Sequence, residues 1–161
     1  MSDKKSYKIV AIIGGGLIGT SLSLSIKKNN LCDVIKVYDS NIEVRKKLKE
    51  RLSPNEIYES LEDTVFDADL VVLCIPVGSM KEVAKSISKL LKDGCILTDT
   101  GSTKNSVIKD VKPYISQNIW FIPSHPLAGT ENSGPEAGFP ELFKGKYWVI
   151  VPYYSIPNEI M

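Results

Sequence analysis

A seven-residue apolar run, Tyr7 to Ile13, stops at Gly14-Gly15-Gly16-Leu17-Ile18-Gly19, and a helical pattern starts inside the same loop. A nearly continuous apolar run closed by glycines reads as a strand buried on both faces of a parallel sheet. From Leu17 to Lys28 the apolar Leu17, Ile18, Leu22 and Ile26 recur at helical spacing, and the small Gly19, Ser21, Ser23 and Ser25 let that helix lie close on its strand. Asn29-Asn30 ends it. The same alternation then repeats: strand Val34 to Tyr38, charged helix Asn41 to Arg51, strand Asp69 to Ile75, helix Met80 to Leu91, strand Cys95 to Thr98, helix Lys104 to Tyr114, strand Ile119 to Ile122. A stretch rich in Gly, Pro, Ser and Glu follows, up to about Phe143, and Lys146 to Val151 reads as a last strand. Such alternation predicts an α/β fold with a doubly wound, mostly parallel sheet of the Rossmann type, occupying residues 1–152.

The glycine loop carries the first chemistry. Gly14 suits the tight turn, Gly16 lets backbone approach a phosphate, and Gly19 allows close helix packing. The N–H groups of the first helical residues, Leu17 and Ile18, and the positive end of the helix dipole then face a pyrophosphate. Asp39 ends the second strand, twenty residues beyond Gly19, where a carboxylate accepts hydrogen bonds from the adenine ribose hydroxyls. A 2′-phosphate would meet that carboxylate as a like charge, so NAD is expected rather than NADP. The run Arg45-Lys46-Lys47 reads as a solvated helix face, although it could instead curl back toward a phosphate. Ile75-Pro76 follows the third strong strand and is expected beside the nicotinamide end.

Charge and composition exclude other partners. With 20 basic and 19 acidic residues the chain has no net field to attract nucleic acid or an anionic membrane, and neither partner is expected. No signal-type or membrane-length apolar run is present, so a cytoplasmic location is expected. Cys32, Cys74 and Cys95 are widely spaced and read as reduced, Cys74 and Cys95 as small core residues; no metal site is expected.

In doubly wound sheets the ligand lies beyond the carboxyl ends of the strands, so reactive residues belong in the loops there. Asp99-Thr100-Gly101-Ser102-Thr103-Lys104 is one such loop, in which Ser102 reads equally well as a site hydroxyl or as a helix cap. The other is Ser124-His125-Pro126-Leu127-Ala128-Gly129-Thr130-Glu131. His125 is the chain's single histidine and follows a strand on the glycine-loop edge; histidine as a residue type can accept a hydroxyl proton near neutral pH as hydride leaves. Glu131 could orient charge nearby or be a solvated loop residue.

Gly14 to Ser21, Asp99 to Lys104, and His125-Pro126-Leu127-Ala128-Gly129-Thr130-Glu131-Asn132-Ser133-Gly134 together resemble the prephenate dehydrogenase family. The resemblance implies NAD-dependent oxidative decarboxylation of prephenate to 4-hydroxyphenylpyruvate in tyrosine biosynthesis, or the equivalent reaction of arogenate. It implies that His125 is the catalytic group on the substrate hydroxyl, that Ser102 assists it and the nicotinamide, and that Glu131 shapes the substrate pocket. Family members continue into a helical C-terminal domain that forms the homodimer; that domain is expected to be absent here, with residues 153–161 a truncated tail or its beginning. A hydroxyacid or imino-acid reductase would share the glycine loop and Asp39, but the histidine motif argues against it. A non-catalytic NAD-binding module acting beside a partner chain is the remaining alternative.

Overall fold

A computed structural model describes residues 7–154, 156 and 157. β1 (Tyr7–Ile13), α1 (Leu17–Lys28) and β2 (Cys32–Tyr38) open the chain, and α2 (Ile42–Arg51) follows, capped by the Asn41 side chain accepting from the Glu43 N–H at 2.9 Å. Then come α3 (Leu61–Val65), β3 (Leu70–Leu73), α4 (Val77–Ile87), β4 (Ile96–Asp99), α5 (Lys104–Val111) and β5 (Trp120–Ile122). The five strands form one parallel sheet in the order β2-β1-β3-β4-β5. Outside β2, Ile57 makes a single parallel bridge to Val37, and the Tyr58 N–H donates to the Val37 carbonyl at 2.9 Å. This one-residue sixth strand completes the doubly wound Rossmann order, with the reversal between β1 and β3.

Alternate residues of β1 feed two cores, as a pleated strand requires. Ala11 and Ile13 pack with Val71, Leu73, Leu97 and Phe121 against α3, α4 and α5. Val10 and Ile12 pack with Ile35 and Val37 against Ile26 of α1 and Leu48 of α2. At the other end of the sheet the Asp69 carboxylate accepts from the N–H groups of Lys8 and Ile9, each at 2.8 Å, and ties the start of β1 to the start of β3.

Three elements differ from the sequence reading. α4 starts at Val77, directly after Pro76, and stops at Ile87, where the Ser88 hydroxyl bonds the Lys85 carbonyl in place of a further helical turn. α3 is too short for its apolar residues to show a helical period; its signal is the capping pair Ser60 and Asp63, the Ser60 Oγ accepting from the Asp63 N–H at 3.1 Å. The stretch after Pro123 is not wholly irregular. β6 (Ser124–Pro126) pairs antiparallel with β7 (Trp148–Ile150), setting His125 opposite Val149. A strand of Ser-His-Pro has neither alternation nor β-branched residues, and it forms because β7 supplies its partner.

Candidate active site

The strand register sets the site. Tyr38, Ile13, Leu73 and Asp99 are successive partners across the sheet, and Ile122 pairs with Thr98 one step earlier. The residues just beyond those ends therefore share one edge: Asp39, the glycine loop, Cys74-Ile75-Pro76, Thr100 to Ser102, and Ser124-His125. This is where the sequence placed them.

On the β1–β2 side the loop is built for an anion. Gly14 has φ +106° and lies so near β3 that a Cβ there would sit 2.2 Å from the Cys74 carbonyl oxygen. A Cβ on Gly19 would lie 1.9 Å from the Gly14 oxygen, so the helix rests on the loop only because this residue has no side chain. Beside Gly16 a Cβ meets nothing within 4 Å; its outer side is open. Gly16 caps α1 without any side-chain cap bond, which leaves the first-turn N–H groups, Leu17 and Ile18 among them, without a side-chain acceptor. Asp39 is held in place: its Oδ2 accepts from the Gly15 N–H at 2.8 Å and its Oδ1 from the Asn41 N–H at 2.9 Å. Gly14, Gly16, Tyr38, Asp39, Ile75 and Pro76 line a cleft of about 330 Å³ along this edge. An uncapped helix start, an open glycine and a positioned carboxylate fit a dinucleotide's pyrophosphate and ribose.

Arg45 departs from the expected solvated helix face. Its side chain is only 12% exposed; Nη1 donates to the Asp39 carbonyl at 2.6 Å, Nε pairs with Glu59 at 3.2 Å, and the guanidinium lies 5.8 Å from the Tyr38 ring centroid. Lys46 and Lys47 are exposed and paired with Glu43 and Glu136.

On the β4–β5 side, His125 Nδ1 lies 3.0 Å from the Thr100 carbonyl oxygen. A carbonyl only accepts, so in the neutral ring Nδ1 carries the proton and Nε2 keeps the lone pair. Beneath it, fully buried Asp99 pairs with Lys104, accepts from the Gly101 N–H at 2.8 Å and from the Ser124 N–H at 3.2 Å. Burial pulls the Lys104 ammonium below lysine's ordinary value, with the Asp99 hydrogen bond opposing the shift. Ser102 is exposed on the same loop, and it caps nothing: Thr103 is the α5 N-cap residue and makes no side-chain cap bond either. Glu131 is exposed on the loop after β6. No disulfide joins the cysteines among the described residues, and burial pushes Cys74 and Cys95 up to about 12, which removes both as nucleophiles at neutral pH.

A family model described as the prephenate dehydrogenase nucleotide-binding domain matches residues 22–161. The chain belongs to the prephenate dehydrogenase family. The match begins after the glycine loop, so the loop's assignment stands on its geometry. Among curated relatives, the chain is 41% identical to a cyclohexadienyl dehydrogenase of Zymomonas mobilis over 95% of its own length and 52% of the relative's. It is 32% identical to a prephenate dehydrogenase of Lactococcus lactis, over 96% of this chain and 44% of that one. The chain thus spans about half the length of these two relatives. Among solved structures, the A. aeolicus prephenate dehydrogenase in complex with hydroxyphenyl propionate and NAD+ superposes with a TM-score of 0.86 at 30% identity, over 98% of this chain and 55% of that one. Like other members, this one is a nucleotide-binding α/β domain of an oxidoreductase family, and no helix among its described residues is long and apolar enough to cross a membrane.

Two parts of the site escaped the sequence reading. Asp99 and Lys104 stand in the sequence as members of a loop, and the signal for them is a charged residue closing an apolar strand. Trp148, whose Nε1 donates to the Ser124 Oγ at 2.8 Å, is separated from it by the irregular stretch and gave no local sign.

Proposed function

We propose that this chain is the cofactor-binding part of an NAD-dependent prephenate dehydrogenase of tyrosine biosynthesis, with His125 as the base. The observation that carries the reading is the His125 ring, fixed through Nδ1 on the Thr100 carbonyl, with Nε2 free on the edge that also bears the glycine loop. Gly14, Gly16, Gly19 and the N–H groups of Leu17 and Ile18 would hold the pyrophosphate, Asp39 the adenine ribose, and Ile75-Pro76 the nicotinamide end. When bound, NAD supplies the hydride acceptor. His125 Nε2 takes the proton of the substrate's ring hydroxyl while hydride leaves the same carbon. The bond to the ring carboxylate then breaks, carbon dioxide departs, and its electron pair completes the aromatic ring; the proton held by His125 returns to the phenol oxygen. Ser102 lies on the loop that carries Thr100 and orients the hydroxyl, and Glu131 borders the substrate.

The names of two relatives support this substrate class: a cyclohexadienyl dehydrogenase acts on the ring type that prephenate and arogenate share, and the A. aeolicus enzyme binds hydroxyphenyl propionate. Arogenate differs only in the side chain distant from His125 and is the second substrate to assay. In a protein that carries this chain and turns over prephenate, His125→Asn lowers the rate by about 10²–10⁴-fold with NAD affinity unchanged. A mutant of wild-type rate would make His125 structural.

A further inference from the structure

Asp99, fully buried, and Lys104, whose side chain is 13% exposed, form an ion pair with no part in the proton and hydride steps above. A buried pair is weak evidence for stability, because neutral residues of similar shape often serve the fold as well. Its connections point elsewhere. Asp99 closes β4, and its Oδ2 accepts from the Gly101 N–H at 2.8 Å, which shapes the loop that presents the Thr100 carbonyl. Its Oδ1 accepts from the Ser124 N–H at 3.2 Å, and Lys104 Nζ, from the first turn of α5, donates to the Ser124 carbonyl. The pair therefore grips both backbone groups of the residue before His125. Ser124 itself is 2% exposed, and its hydroxyl is fixed further by donating to the Asp99 carbonyl at 2.8 Å and accepting from Trp148 Nε1 at 2.8 Å. Both halves of the His125–Thr100 hydrogen bond, the ring's strand and the carbonyl's loop, hang from one carboxylate and one ammonium.

We infer that the Asp99–Lys104 pair is a positioning device: it fixes β6 against the β4–α5 loop so that His125 is held as the Nδ1–H tautomer with Nε2 free. The inference rests on the reading of His125 as the base, and it names two positioning residues that act through the His125 ring. It differs from a purely structural role in what its loss does. Neutralising both partners leaves a folded protein whose histidine ring is no longer held.

Because the chain has one histidine, its ring nitrogens are directly assignable by ¹⁵N NMR. At a pH where the ring is neutral, the wild-type spectrum shows the Nδ1–H form in excess; an excess of Nε2–H in the wild type overturns the inference without any variant. In Asp99→Asn/Lys104→Met, which leaves no unpaired charge buried, the Nδ1–H to Nε2–H ratio falls about tenfold, the equivalent of one hydrogen bond. Near-UV circular dichroism from Trp120 and Trp148 checks that this variant is folded. A folded double variant with the wild-type ratio overturns the inference. The outcome is separable from the catalytic reading, since ring tautomer is measured without substrate: an inactive enzyme with a held ring removes the function, and an active one with an unaffected ring removes the device.

Discussion

Asp39, proposed above to hold the adenine ribose, also pins the glycine loop. Its two oxygens already accept from the Gly15 and Asn41 N–H groups, so the carboxylate is aimed before any ribose arrives. Replacing it by Ala removes charge-assisted bonds to the ribose and the pin on Gly15, and NAD affinity falls by about tenfold or more in a cofactor titration. Arg45 bears on cofactor choice. Its guanidinium is committed to the Asp39 and Ser40 carbonyls and to Glu59, leaving Asp39 as the charge a 2′-phosphate would meet. We predict that NAD binds more tightly than NADP when both are titrated, and equal affinities would reassign Arg45 as a phosphate ligand. The glycines separate fold from binding. Gly19→Ala drives a Cβ onto the Gly14 oxygen and costs about 1–3 kcal/mol of stability by denaturant unfolding. Gly16→Ala points its methyl into open space, stays within about 1 kcal/mol of wild type, and loses cofactor affinity because the methyl stands where phosphate approaches.

Among the elements, β1 is held at its start by the Asp69 side chain, from just before β3. Burial pushes the Asp69 carboxyl up, but the Lys92 ammonium and the Ile9 and Lys8 N–H groups outweigh it and hold it below its ordinary value. A carboxyl depressed in the folded state contributes stability that is present above its unfolded pKa of about 3.9 and is lost as pH falls through the folded value. Acid titration of stability accordingly shows a loss below about pH 4 that Asp69→Asn makes shallower. A wild-type acid limb in that variant would exclude Asp69 as its source. Strands β1 to β5 were legible because a parallel sheet buried on both faces needs apolar runs, and α1 and α2 because each presents a stripe or a cap that local sequence records. The positions of the glycine loop, Asp39 and His125 were legible for a related reason: each follows the end of a strand whose apolar run the sequence records. β6 was not, since its pairing is supplied by β7 more than twenty residues on, and three residues carry no period. The bend of Arg45 onto the Asp39 carbonyl was hidden too, because it depends on where α2 packs relative to β2.

At the scale of the molecule, the cofactor half and the substrate half of the proposed reaction are unequally provided. The sheet, its two cores and the glycine cleft are complete among the described residues, so a purified chain folds and binds NAD. Prephenate, however, carries two carboxylates that must be held while its hydroxyl sits on His125 and its ring carbon faces the nicotinamide, which needs fixed cations and a dry site. Lys104 is committed to Asp99, and the basic residues after Pro123 are Lys144 and Lys146, both exposed to water. The β6–β7 hairpin that carries His125 also leaves apolar surface uncovered, with Leu127 at 52%, Tyr147 at 80% and Val149 at 41% exposure. Relatives about twice as long have further chain with which to cover that surface and to bring cations to the substrate. We predict that this chain alone binds NAD yet oxidises prephenate at least about 10²-fold more slowly than the same chain supplied with the second half of a relative, a loss on the scale of poor substrate positioning. Steady-state assay at saturating NAD, with and without that half, is the measurement. Equal rates would mean that the hairpin, Lys144 and Lys146 suffice to hold a dicarboxylate, and that the exposed apolar face belongs to some other contact.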